Sequence, residues 1–205
     1  RRVLAIRPFT KEAYNGLGEV YAALNRDDEA LREFEKAIAI DPNFIDCLNN
    51  LSWLYIEREQ YDTSAMYIAG ILRRDPANVT ALLNQSFIYL KQNRKRDARA
   101  LLVSIIDRYP ECGEAYYYLA DLLREDRSDI WTESHKKEWI DRSRLDQRLN
   151  ELEAVIRRDY ETAIRQAKDK SFPSIRYGIF LNELAEENIA KGSQNSADNL
   201  KREAL

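Results

Sequence analysis

Apolar side chains recur along this chain in steps of three and four. Tyr14, Leu17, Gly18 and Tyr21 form one such set, and Ala30, Phe34 and Ala37 form the next. That spacing puts each set on one side of a helix, so each predicts an amphipathic helix with a buried stripe. The pair of stripes then returns. Leu48, Leu51, Ser52 and Tyr55 precede Ser64, Ile68 and Ile71; Leu82, Ser86 and Tyr89 precede Ala98, Leu102 and Ile105; Tyr116, Leu119, Ala120 and Leu123 begin a fourth round. Pro8, Pro42, Pro76 and Pro110 punctuate the rounds, 34 residues apart. Proline cannot continue a helix, so each one marks a turn into the next unit. Repetition at this period predicts a stack of helical hairpins, each burying its stripe against its neighbours.

Residues 11–44 carry the fullest copy. Tyr14, Leu17, Gly18, Tyr21, Ala30, Phe34 and Pro42 resemble the tetratricopeptide-repeat consensus, with Gly18 and Ala30 small where two helices of a hairpin approach. Gln85 departs from it, standing where a leucine belongs. The resemblance implies an all-α fold: a right-handed superhelical α-solenoid of helix-turn-helix repeats. The whole chain, 1–205, then reads as a single solenoid. Residues 1–10 end a preceding repeat, with Val3, Leu4 and Ile6 apolar. Full repeats occupy 11–44, 45–78 and 79–112, repeat four 113–177, and an incomplete fifth 178–205. Because the chain starts and stops inside repeats, whose ends normally need polar caps, it reads as a piece of a longer protein or as one whose ends are covered by partners.

The period breaks once. No second stripe follows the fourth round near residue 128; a match returns at Asp159–Ile164, which places a helical insertion at about 126–158. From Leu145 the spacing is regular through Leu149, Leu152, Ile156, Tyr160, Ala163 and Ala167, one amphipathic helix running into the second helix of repeat four. Packing against the last repeat, projection, folding back over Tyr117 and Tyr118, and dimerisation are all uses of such a stripe. Beyond it, Leu181, Leu184, Ala185, Gly192, Ala197 and Ala204 fit the repeat spacing again, and 193–199 reads as a turn and helix start.

Composition adds limits. The 205 residues are 33% charged and 44% hydrophobic with net charge −3, as exposed helices with one buried stripe require. The acid balance argues against nucleic acid as a partner; the basic run Lys91–Arg99 reads as a solvated turn and helix start. Cys47 and Cys112 stand about two repeats apart, at different places in their units, too far for a disulfide. Two free thiols favour a reducing compartment, so localisation leans cytoplasmic, with a periplasmic or membrane-anchored parent left open. No membrane-spanning segment is present in the sequence.

The resemblance also implies that first helices line a concave, ligand-binding face. Carrying the helical spacing along them turns inward Glu12, Asn15, Gly16, Glu19 and Ala23; Asp46, Asn49, Asn50, Trp53 and Glu57; Thr80, Leu83, Asn84, Phe87 and Lys91; and Glu114, Tyr117, Tyr118, Asp121 and Glu125. From these the candidate peptide-binding residues are Asn15, Asn49, Asn50, Trp53, Leu83, Asn84, Phe87, Tyr117, Tyr118 and Asp121. Asn50 and Asn84 are equivalent, a two-rung version of the asparagine ladder that holds peptide backbone in superhelical family members. Trp53 and Phe87 are equivalent too, and aromatic groups on a groove are binding anchors. The rim is acidic. The inward lysine and arginine of the family's carboxylate clamp are missing, so an acidic tail is a poor ligand and a neutral or basic segment with apolar anchors a better one.

Nothing points to catalysis. His135 is the only histidine, with Glu138 one turn on; this makes neither a triad nor a metal cluster. The six glycines form no phosphate loop. No catalytic residue, cofactor or metal is therefore expected. The sequence predicts a non-enzymatic adaptor binding a protein or peptide segment in its groove. The alternatives are a scaffold self-associating, as a homo-oligomer, through the insertion helix or open repeat ends, and the targeting domain of a larger enzyme.

Overall fold

The computed structural model describes residues 10–135, 142–166, 171–190 and 194–204. Residues 1–9, Glu138, Trp139, Ala167 and Gly192, and the side chains of Trp131, His135 and Leu145, lie outside the described residues. Among those described, every element is a helix: α1 (Lys11–Ala23), α2 (Asp27–Ile40), α3 (Ile45–Glu57), α4 (Tyr61–Arg74), α5 (Val79–Lys91), α6 (Lys95–Arg108), α7 (Gly113–His135), α8 (Arg142–Gln166), α9 (Ser171–Ala190) and α10 (Gln194–Glu203). The starts of α1, α3, α5 and α7 keep the 34-residue step of the prolines. The chain forms two compact units, Arg1–Arg94 and Lys95–Leu205.

In the first unit, local chemistry sets the helix ends. Thr10 Oγ1 accepts the Ala13 amide at 3.1 Å and Asn78 Oδ1 accepts that of Ala81 at 3.0 Å, so α1 and α5 begin on side-chain caps. Asp27, Asp28 and Glu29 fill the first turn of α2, where the helix dipole favours negative charge. The turns inside the repeats share one backbone solution. Asn25, Glu59 and Asn93 all adopt left-handed φ, at 55°, 58° and 57°. Each is followed by an amide that reaches back five residues: Arg26 to Tyr21 O at 2.9 Å, Gln60 to Tyr55 O at 2.8 Å, Arg94 to Tyr89 O at 2.8 Å. Amides of the left-handed residues themselves bond three residues back, which completes a Schellman motif at all three sites. Between repeats, the amides of Phe44 and Asn78 bond Asp41 O and Asp75 O, each at 3.1 Å, with Pro42 and Pro76 at the second turn position.

The repeat register is equally plain in the core. Ala30 and Ser64, Phe34 and Ile68, and Ala37 and Ile71 are equivalent pairs, all buried. Phe34, Ala37, Cys47, Leu51 and Leu54 form one cluster with Ala30; Leu48, Ile56, Ile68, Ile71, Ala81 and Ile88 form the next. A Cβ added at Gly18 would lie 2.5 Å from Phe34 Cε1, so only glycine lets α1 approach α2 over that ring.

The second unit holds α6 to α10. Here α7 has 23 residues against 13 in each of α1, α3 and α5, and α8 has 25. The segment that interrupts the repeat period is thus helical wherever it is described. Contacts between Asp121 and Tyr160, and between Arg127 and Glu153, show α7 and α8 running antiparallel. The α8 stripe is spent inside the chain: Leu149, Ile156, Tyr160 and Ala163 are fully buried. The Tyr160 ring meets those of Tyr117, Tyr177 and Phe180, at centroid separations of 6.3, 5.7 and 6.3 Å. Two ion pairs tie α7 to α9: Arg124 to Glu183 and Arg127 to Glu187, both at 2.7 Å. Leu181, Leu184, Ala185 and Ala197 are buried in the α9–α10 region, and Glu203 accepts from both Arg157 and Tyr177 at 2.9 Å. Lys95 faces Glu125, Asp126 and Asp129, and Arg99 pairs with Asp126.

Candidate functional site

Helices α1, α3 and α5 of the first unit present equivalent faces to a cleft of about 590 Å³. Its lining includes Glu19, Asn49, Asn50, Trp53, Glu57, Thr80 and Asn84, seven of the positions that helical spacing turns inward. Ala23 from that set lines it as well, and Asn25, Asp27, Phe34 and Leu54 complete much of the wall. Asn25 comes from the Schellman turn and Asp27 from the first turn of α2 that follows it. Helix spacing alone does not find them, although an Asn between two helical stripes is the signal for a left-handed cap.

The amides of the cleft are held by hydrogen bonds to side chains of their own or the neighbouring repeat. Asn15 Nδ2 donates to Glu19 Oε1 at 2.7 Å, and Asn50 Nδ2 donates to the same oxygen at 2.8 Å and to Asn15 Oδ1 at 3.1 Å. Asn84 Nδ2 donates to Ser52 Oγ at 2.8 Å, and Asn49 Nδ2 to Asn78 Oδ1 at 3.3 Å. Asn15, Asn49 and Asn84 are buried, Asn50 half-buried. Trp53 is 37% exposed. Its ring leans on Phe87 with centroids 5.2 Å apart, and Lys91 Nζ lies 5.1 Å over the other ring of that pair. Leu83 is half-buried on α5.

The remaining candidates belong to the second unit. Tyr117 is buried and Tyr118 half-buried, their rings 5.2 Å apart. Asp121 accepts from the Tyr160 hydroxyl at 3.1 Å and from Arg124 Nε at 3.2 Å. Burial alone would lower the Arg124 pKa; Glu183 and Asp121 more than offset it and hold the guanidinium charge firmly. Burial raises the Tyr117 and Tyr160 hydroxyl pKa values, with Asp121 adding to both.

Glu19, Asp27 and Glu57 are the charged residues lining the cleft; Lys, Arg and His are absent from its wall among the described residues. Among the described residues no group of three His, Cys, Asp or Glu could hold a metal ion, and no helix is long and apolar enough to cross a membrane. Cys47 is buried beneath α2, its Sγ 3.4 Å from the Phe34 carbonyl; burial, then Glu19 and Asp46, push the thiol up to about 12.

No curated protein matches the sequence significantly. Solved structures match the fold. Pseudomonas aeruginosa PilF superposes with TM-score 0.60 at 14% identity, over 96% of this chain and 76% of its own. MamA from Desulfovibrio magneticus gives 0.56 at 14%, over 95% and 92%. Human IFIT1, solved as a dimer with m7Gppp-AAAA, gives 0.67 at 14%; this chain is covered completely but spans 44% of IFIT1. Profiles described as tetratricopeptide repeat match residues 11–44, 33–65 and 55–123. These matches coincide with the helices whose starts, turns and core positions recur every 34 residues, and on that ground the chain belongs to the tetratricopeptide-repeat family.

Proposed function

We propose that the protein is a non-catalytic adaptor that captures a peptide segment in the α1/α3/α5 groove. Repeats of this family are protein-interaction modules in general, and that coarse role belongs to this chain as a member. The observation that carries the finer reading is the cleft itself: a concave space of about 590 Å³ with Trp53 exposed beside Phe87 and a wall of amides and carboxylates. An exposed tryptophan backed by a second ring is a rigid apolar anchor. A neutral or basic segment suits an acidic wall, since complementary potentials speed encounter and suppress wrong partners. IFIT1 is seen with a capped nucleotide chain. In this cleft the three wall carboxylates would repel phosphates, which disfavours a similar ligand here.

The test is selection from a random peptide display library on the purified chain, repeated with Trp53→Ala/Phe87→Ala. Enriched peptides should be neutral or basic with a large apolar residue. The double variant should capture them roughly ten-fold less well, the loss of one central anchor, with unchanged helicity. Undiminished capture by the double variant would refute the groove assignment.

A further inference from the structure

The hydrogen bonds of the cleft fix which atoms its amides can offer. Asn78 Oδ1 is committed to the Ala81 amide as a helix cap, so Asn49 can only donate to it, and its Nδ2 is turned that way. Ser52 Oγ gives its proton to Asn49 O at 2.8 Å; it can only accept from Asn84, whose Nδ2 is therefore turned to it. Glu19 is an acceptor alone, so Asn15 and Asn50 must both donate. No amide can flip without losing its partner. Asn50 spends both Nδ2 protons on Asn15 and Glu19. The Oδ1 atoms of Asn49, Asn50 and Asn84 accept no hydrogen bond among the described residues. Asn49 makes the point most sharply: it is only 8% exposed, it lines the cleft, and its Oδ1 is a buried acceptor without a partner. A buried acceptor left in that state costs the fold stability.

These carbonyl oxygens share the cleft with the carboxylates of Glu19, Asp27 and Glu57 and the face of Trp53. The wall is thus weighted toward acceptors, carries three negative charges and has one open aromatic surface. A peptide backbone, which brings one acceptor for each donor, matches it poorly. A side chain rich in N–H donors, positively charged and flat enough to stack on an indole, matches it in all three respects. Resting on the groove reading above, we infer that the recognition element is a cationic side chain of the partner, arginine in preference to lysine. It stacks on Trp53 and donates to Asn50 Oδ1 and the Glu57 carboxylate.

The inference is tested with the ¹⁵N-labelled chain and capped pentapeptides Gly-Leu-X-Leu-Gly, where X is arginine, lysine, citrulline, norleucine or glutamate. The readout is the Trp53 indole and Asn50 side-chain amide resonances. The arginine peptide should bind tightest, with lysine weaker, citrulline weaker again, and norleucine and glutamate weaker than arginine by roughly ten-fold or more. Glu57 is exposed, so Glu57→Gln leaves the fold alone; it should weaken the arginine peptide about three- to ten-fold and leave the norleucine peptide unchanged. If glutamate or norleucine binds at the same resonances as tightly as arginine, the cation assignment is overturned while the groove reading survives. If no peptide of the series moves either resonance at millimolar concentration, both readings fall.

Discussion

Glu59 occupies a backbone position that opposes its own chemistry. Its φ of 58° lies in the left-handed region, its side chain is exposed, and its equivalents in the neighbouring repeats are Asn25 and Asn93. Asparagine tolerates that region; an ordinary L residue loses about 1–2 kcal/mol there because Cβ crowds the following carbonyl. The informative comparison is Glu59→Gly against Glu59→Ala. Both remove the same charge and leave no side chain to interact, so their difference isolates the backbone. In a helix interior alanine beats glycine by about 1 kcal/mol. At a left-handed cap the order inverts, and glycine should be the more stable by about 1 kcal/mol once its larger unfolded-state entropy is counted. Urea unfolding followed by circular dichroism reads this as a higher midpoint at unchanged slope, and thermal melts should separate by about 2–4 °C for a chain of this size. Asn25→Ala and Asn93→Ala should each fall below wild type. Should Glu59→Ala match or exceed Glu59→Gly, the shared Schellman turn is wrong for that repeat.

Other outcomes follow from single contacts. Gly18→Ala should destabilise by about 1–3 kcal/mol despite better helix propensity, because the new methyl overlaps the buried Phe34 ring; adding Phe34→Leu should recover part of the loss in the same unfolding assay. Asp159 is fully buried with one carboxylate oxygen unpartnered, and burial, only partly countered by Arg158, raises its pKa. A raised carboxylate pKa means the contribution is favourable below the unfolded-state value and is lost as pH rises through the folded one. Asp159→Asn should therefore raise the urea midpoint near pH 7 and lose that advantage in acid. Cys47, its thiol pushed up to about 12 inside the core, should resist iodoacetamide at pH 8 in the native protein and react once urea unfolds it.

The repeat architecture was legible because each unit states it locally. Proline at the exit, a small residue at the close approach and a large one three or four places on are properties of one helix pair. They survive even where Ser64 replaces Ala30 or Ile68 replaces Phe34. The left-handed turn was less legible at Glu59, since glutamate carries none of the turn preference of Asn25. Helical spacing also says which way a side chain points but not what meets it. Trp53 and Tyr117 hold related inward positions by spacing, yet one is exposed on the cleft and the other is buried against Tyr160, which lies 43 positions on along the chain (160 − 117). The orientation of the cleft amides was invisible for a like reason. Each partner of Asn49, Asn50 and Asn84 sits about a repeat away in sequence, and only the folded register brings them together.

Arg124 and Arg127 are one turn apart on α7, as Glu183 and Glu187 are on α9. Two matched rungs behave as a vernier. Sliding α9 by a single turn could bring one arginine to the other's carboxylate but would leave its fellow with only its second carboxylate, Asp121 for Arg124 or Glu153, at 3.9 Å, for Arg127. Arg127, 4% exposed, has no water in which to wait. A slipped seat thus weakens the pairing of a charge held away from solvent, so the two rungs together favour the one alignment of α9 that satisfies both.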